Sequence, residues 1–237
     1  MSKLIETIDL VTNFYTHEGV VKALDKVSLC VDHGCTFGLV DESGCGKSVT
    51  VRSMMRIIQE PGKIDGGQVL FYPENKGNHA AIDLLQQPET SMKALRGDKI
   101  SMIFQEPNAA LNPIMSIGEQ VAESFLFHRK KEMCQQILMD MDASISNANP
   151  LKIILKALYR LAATRPEALI LKLLSKTPLL KSWEKRLHKE AMRRAVEMIA
   201  KLSIPHAKDI ARRYPHNLSG GMKQRIVIAI ALACNPL

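Results

Sequence analysis

The sequence has no long apolar run. Its longest, near Ile226–Cys234, falls far short of the roughly 20 residues a membrane-spanning helix needs. The N-terminus, MSKLIETIDL, mixes acidic with apolar residues and lacks the plan of a signal peptide. Cysteine is sparse: Cys30, Cys35, Cys45, Cys134 and Cys234 are odd in number and form no C-x-x-C pair. That scatter argues against a disulfide framework or a thiolate metal site and fits a reducing compartment. Aromatics make up 5% of residues, and there is neither an internal repeat nor a low-complexity tract. The expectation is a cytosolic chain, with a peripheral place at a membrane left open.

What is present is the material of a globular protein. The 237 residues suffice for one large domain, or a core with a lobe. The chain is 46% hydrophobic and 24% charged, ordinary values for such a domain. The net charge of +8 is uneven: Arg129 to Arg213 holds 19 Lys/Arg against 8 Asp/Glu, a net of +11. This basic block reads either as an attractor of nucleic acid or anionic lipid or as the solvated face of surface helices. With only Tyr159 and Trp183 as notable aromatics in it, a base-stacking platform is poorly supported.

LIETIDLVTNFY and VVKALDKVSLCVD show the alternation of β-strands around the turn HEG. CTFGLV is a short apolar run that reads as a buried strand. KSVTVRSMMRIIQ has helical spacing, with Val49, Ser53, Met54 and Ile57 on one face, and stops near Pro61 and Gly62. GGQVLFY and KISMIFQEP read as further strands. From Ser116 to about Leu202 the pattern is helical, interrupted at 147–150, 165–166 and 177–178. Within it, LKIILKALYRLAATR is amphipathic and basic, which suits a core-packing or subunit-facing helix ahead of a membrane-surface one.

Two stretches carry chemistry. The first is DESGCGKS, residues 41–48, placed between an expected strand and an expected helix. Gly44 and Gly46 allow a backbone to curl closely around phosphate oxygens, Lys47 supplies a cation for β- and γ-phosphates, and Ser48 offers a hydroxyl to Mg²⁺. Asp41 stands where the pattern G-x-x-x-x-G-K-[ST] asks for glycine. Aspartate tolerates left-handed backbone better than most residues, but its carboxylate repels phosphate if it points inward. The second stretch is NLSGGMKQR, residues 217–225, where Ser219, Gly220 and Gly221 precede an apolar helix. It reads as a second anion-binding helix N-terminus or as a plain cap with a flexible turn.

Together, DESGCGKS, ISMIFQEP and LSGGM resemble in order the Walker A, Q-loop and signature motifs of ABC transporter ATP-binding subunits. The flanking ALNP and YPHNLSGGMKQR are similar to the oligopeptide/dipeptide (or nickel) importer branch. The resemblance covers nearly the whole chain and implies an α/β P-loop ATPase domain with an N-terminal antiparallel β part and an enlarged α-helical lobe. The implied organisation is a β part with the phosphate-loop core at 1–107, a helical lobe at 108–216 and the signature with its helix at 217–237. It further implies ATP and Mg²⁺ as cofactors. Nucleotide contacts would come from Asp41, Ser43, Gly44, Cys45, Gly46, Lys47, Ser48 and Val49, with an aromatic against adenine at Tyr15 or, in competition, Phe14. The metal would be met by Ser48 and Gln105, the latter in the Q-loop place, and a partner's nucleotide by Ser219, Gly220 and Gly221. The implied partners are a second ABC ATPase, two membrane permeases and a substrate-binding protein, at the cytoplasmic face of the inner membrane. Nucleic acid is not an expected partner.

Two departures from the family pattern stand out. The sequence stops at ALACNPL, before the Walker B strand, catalytic glutamate, D-loop and switch histidine; His206 and His216 precede the signature and cannot take the last role. The expectation is therefore a fold without its C-terminal core strands and a chain that alone hydrolyses ATP negligibly. The alternatives are a non-catalytic fragment or a soluble ABC ATPase acting on nucleic acid. Also, Gln105 and Ser219 lie 114 positions apart, longer than the family pattern, with the surplus expected at about 130–187. That surplus would either alter permease docking or be an inert elaboration.

Overall fold

The computed structural model describes residues 2–42, 44–73, 81–143, 150–164 and 178–237. The chain divides into two units, residues 1–100 with Leu237, and residues 101–236.

The first unit is built on a four-stranded antiparallel sheet in the order β2-β1-β3-β4. Its strands are β1 (Lys3–Thr16), β2 (Gly19–Asp32), β3 (Gly62–Phe71) and β4 (Ile82–Asp83). The alternation in the sequence is realised as a long hairpin, with Thr16 opposite Gly19 across the HEG turn. A bulge interrupts β1 near Asp9, whose φ is 47°, and the register to both neighbours shifts there. Gly67 on β3 faces the bulge at φ 91°; a Cβ there would lie 2.5 Å from the Asp9 carbonyl oxygen. Only glycine fits. Leu10, Leu24, Val69, Phe71, Leu84 and Met92 form the buried core on one face of the sheet.

Helix α1 (Lys47–Met54) packs on that core. Val49 and Met54 contact the core, and Ser53 is buried with its hydroxyl 2.9 Å from that of Thr12 on β1. Ile57 lies beyond the helix end, so the predicted face is shorter than the pattern suggested. Arg96, following α2 (Glu89–Leu95), donates to the carbonyls of Met55 (2.9 Å) and Arg56 (3.0 Å). It thereby satisfies acceptors that the end of α1 leaves open.

Two expected strands are not formed. The run CTFGLV carries no strand, and Phe37, Leu39 and Val40 are 49%, 43% and 91% exposed. KISMIFQEP likewise has no ladder beyond an isolated parallel bridge between Arg96 and Ile100, and Ile103 and Phe104 are exposed. The reason is physical: a strand satisfies its backbone only beside another strand. Among the described residues none pairs with either segment.

The second unit is helical: α3 (Pro107–Ala110), α4 (Ile117–His128), α5 (Lys130–Ala143), α6 (Pro150–Thr164), α7 (Pro178–Lys201), α8 (Ala207–Ile210) and α9 (Gly220–Leu232). Among the described residues the helical reading from Ser116 holds, with an added break at Arg129. Ser116 caps α4 through a reciprocal capping box with Glu119. The basic amphipathic segment is a core helix: Leu155, Leu158, Tyr159 and Ala162 of α6 are buried. Burial holds the Tyr159 hydroxyl well above its ordinary pKa. The predicted interruptions at 147–149, 165–166 and 177 lie outside the described residues.

Candidate functional site

The phosphate-loop candidate belongs to the first unit. Gly44 and Gly46 both adopt positive φ, 91° and 93°, which side chains rarely accept. They differ in surroundings. A Cβ at Gly44 would meet open space, whereas one at Gly46 would lie 2.8 Å from the Ala23 carbonyl oxygen and 3.0 Å from Leu24 Cδ2. Gly46 is thus the point where the loop rests on β2, and it caps α1. Thr50 then fixes the first turn, donating through both its amide (2.8 Å) and its hydroxyl (3.0 Å) to the Gly46 carbonyl.

The Lys47 ammonium turns back into the loop. It donates to the carbonyls of Asp41 at 2.9 Å and Glu42 at 2.5 Å, and lies 3.1 Å from Cys45 Sγ. Asp41 points its carboxylate along the loop: its Oδ1 accepts the Glu42 amide at 2.8 Å. That bond, the Cys45 thiol and the Lys47 charge hold the Asp41 carboxyl below the usual carboxylate range. Ser48 is exposed at the start of α1, and Val49 packs toward the core. Ser43 lies outside the described residues.

Of the two candidate aromatics, Phe14 is partly buried against Gly62, where an added Cβ would come within 2.7 Å of its ring. Tyr15 is 47% exposed, so it alone keeps much of its ring open to a ligand. Its hydroxyl donates to Asp65 Oδ2 at 2.7 Å, which raises the phenol above its ordinary pKa.

The remaining candidates belong to the second unit. Ser219 caps α9, its Oγ accepting the Met222 amide at 3.4 Å. Gly220 and Gly221 are exposed, and a Cβ at either would meet nothing within 4 Å. The helix N-terminus therefore presents open backbone, as an anion-facing segment requires. Gln105 is exposed at a bend. His206 starts α8 and His216 lies in the short turn Pro215–Asn217 before the signature.

Two braces were not evident from the sequence. Lys223 on α9 donates to Asn108 Oδ1 at 2.9 Å, tying the signature helix to the segment that follows Gln105. Gln120 is buried and grips ALNP from within, donating to the carbonyls of Asn112 (2.9 Å) and Met115 (3.0 Å) while accepting the Asn112 amide (2.9 Å). A polar residue on the apolar side of α4 was the only available signal for Gln120. A contact spanning 115 positions left none for Lys223.

The donor set suits a polyphosphate: a cation, a helix N-terminus and two glycines at positive φ converge on one loop. Among the described residues no cluster of three or more His, Cys, Asp or Glu could hold a metal on its own. A magnesium ion would have to arrive with phosphate oxygens and meet Ser48, as is usual for this cation. Among the described residues no helix is long and apolar enough to cross a membrane.

Comparisons with known proteins place the chain in a family. The family profile described as ABC transporter matches residues 24–237. The oligopeptide transport ATP-binding protein AppD of Bacillus subtilis is 33% identical over 237 residues, 100% of this chain and 53% of that protein. The dipeptide transport ATP-binding protein DppD of Lactococcus lactis subsp. cremoris is 34% identical over 234 residues, 99% of this chain and 49% of that one. The chain thus spans about half the length of these relatives. The ATP-binding cassette MJ0796, solved as a dimer bound to ADP and Pi, superposes with a TM-score of 0.61 at 21% identity, covering 98% of this chain and 71% of that one. CbiO1 of Clostridium perfringens gives 0.53 at 16% identity, covering 100% and 63%. These likenesses show an ABC ATPase fold, of mixed α/β class with the antiparallel sheet and helical lobe described above. The chain belongs to the ABC transporter family.

Proposed function

We propose that this chain is the nucleotide-binding part of a subunit that couples ATP binding and hydrolysis to peptide import. The observation that carries the reading is the loop at 44–48, where two glycines at positive φ precede the start of α1 and the Lys47 ammonium turns back into the loop. In this reading Gly44, Cys45, Gly46, Lys47 and Ser48 receive the phosphates, with Asp41 and Ser43 at the rim and Val49 anchoring the helix behind them. Tyr15 meets the base. Ser48 meets Mg²⁺, which when bound would neutralise phosphate charge, and Gln105 keeps the Q-loop role that the family resemblance implies. Ser219, Gly220 and Gly221 face the nucleotide held by a second ABC ATPase.

The functional parts are then 1–107, 108–216 and 217–237. Two permease subunits and a substrate-binding protein complete the assembly, and the chain sits peripherally at the cytoplasmic face of the membrane. The names of the oligopeptide and dipeptide transport relatives support peptide as the cargo class.

Lys47 is the test. It is the cation nearest the loop's own carbonyls, and losing a charged hydrogen bond costs about 1.5–3 kcal/mol. Lys47→Ala is expected to weaken ATP binding by about tenfold or more in a calorimetric titration. Superimposable titrations of the two proteins would remove the basis for the assignment.

A further inference from the structure

The geometry points to Asp65 as the positioning residue of the nucleobase end of this site, acting through the Tyr15 hydroxyl. The inference rests on the nucleotide reading above and deepens it.

Tyr15 and Val20 are direct cross-strand partners at the turn end of the hairpin, and they are 47% and 55% exposed. Paired residues in an antiparallel ladder project on the same face, so ring and isopropyl group form one apolar platform. Val20 lies three positions along β2 from Ala23, whose carbonyl abuts Gly46. At the rise of a β-strand that is about 10 Å, a span a ribose and α-phosphate can cover. A flat heteroaromatic base is the occupant that fits both the platform and its place beside a phosphate loop.

An exposed tyrosine ordinarily samples several rotamers, but this one is held. Its backbone amide donates to the Pro61 carbonyl at 3.0 Å, and its hydroxyl donates to Asp65 Oδ2 at 2.7 Å. Asp65 is itself fixed. The same Oδ2 accepts Asn13 Nδ2 at 2.7 Å, Lys63 Nζ lies 3.7 Å from Oδ1, and the side chain is only 21% exposed. Asn13 spends its amide on this carboxylate, while its buried Oδ1 has no hydrogen-bond partner among the described residues. The cluster thus sets the ring in place before any base arrives, removing a rotamer cost that a free side chain would pay on binding.

The experiment measures ATP and inorganic tripolyphosphate binding to Asp65→Ala, Tyr15→Phe, their double variant and Asp65→Asn. Tyr15→Phe keeps the ring and removes only the anchor, so it reads the effect even if Asp65→Ala loosens the sheet. The expected result is about a three- to tenfold loss of ATP affinity in each single variant, no further loss in the double variant, and unchanged tripolyphosphate binding. Asp65→Asn, which can still accept the phenol, is expected to recover most of the loss. Equal loss for tripolyphosphate, multiplying losses in the double variant, or undiminished ATP affinity would overturn the assignment. If Lys47→Ala leaves both ligands unaffected, the nucleotide reading itself falls, and Asp65 with it.

Discussion

The sheet unit and the helical unit use their apolar residues differently. Residues 1–100 bury a small core, Leu10, Leu24, Val69, Phe71, Leu84 and Met92, while Phe37, Leu39 and Val40 of the same unit face outward. Residues 101–236 close a larger core drawn from α4, α5, α6, α7 and α9, including Val121, Met133, Tyr159, Ala195 and Ile226. The difference lies in where backbone hydrogen bonds are made. A helix satisfies its own backbone and needs a neighbour only for its apolar stripe, whereas a strand needs one for its backbone as well. An apolar run without a paired neighbour therefore stays exposed, however strand-like its composition.

The thiols divide along the same line and give the largest expected contrast. Cys30, Cys35 and Cys45 are exposed in the sheet unit, while Cys134 and Cys234 are buried in the helical one. Burial pushes the Cys134 thiol up from 9.0 to about 11, which alone leaves about a hundredfold less thiolate at neutral pH. Mass-resolved alkylation of the native protein is expected to label the first three quickly and the other two only after unfolding. Fast labelling of Cys134 would break the contrast.

Glycine substitutions sharpen it further. Gly67→Ala forces a side chain to φ 91° against the Asp9 carbonyl, at a cost of about 1–3 kcal/mol. Gly118→Ala places a Cβ 2.8 Å from the Ala211 carbonyl oxygen and 2.6 Å from Met192 Sδ. Its helix propensity returns about 1 kcal/mol, so the net loss is smaller. Hydrogen exchange is expected to report each loss within its own unit. A uniform loss of protection from either change would show that the two units unfold as one.

Asp41→Gly is a gentler change. Its carboxylate is exposed and already engaged with the Glu42 amide, so removing the charge acts through solvent and is screened by salt. ATP affinity is expected to rise by a few-fold, most clearly at low salt; unchanged affinity at every salt concentration would show that the carboxylate exerts no field at the phosphates.

The smallest effect belongs to Glu190, which accepts from Arg193 (2.6 and 2.8 Å) and Arg194 (3.0 Å). These bonds, those from Arg193 first, hold its carboxyl below the usual range. Its contribution is therefore present above the unfolded pKa and lost as pH falls through the lower folded value. With Arg193 half exposed, the contribution stays below about 1 kcal/mol. In Glu190→Gln, the melting temperature is expected to fall less between about pH 5 and pH 3 than in the parent protein. An identical acid limb would count against the pair.

The sequence made some of this legible and hid the rest for identifiable reasons. The hairpin of β1 and β2, the glycines at 44 and 46 and the helices from Ser116 onward could be read because alternation, left-handed turns and 3.6-residue spacing are local properties. The missing strands at CTFGLV and KISMIFQEP could not, since pairing depends on what lies alongside. The Asp65 anchor stands 50 positions from Tyr15, and nothing in either neighbourhood announces the other. Cross-strand partners of this kind are fixed by register, and here the bulge near Asp9 helps to set it.

The inward turn of Lys47 bears on how any binding constant for this loop should be understood. With its ammonium seated on the Asp41 and Glu42 carbonyls, Lys47 already has oxygen partners within its own loop. Arrival of a phosphate is then an exchange reaction: one set of oxygens replaces another around the same cation. Replacing the lysine deletes both the contact made in the complex and the contact surrendered to reach it. The measured loss will consequently understate the strength of the grip on phosphate.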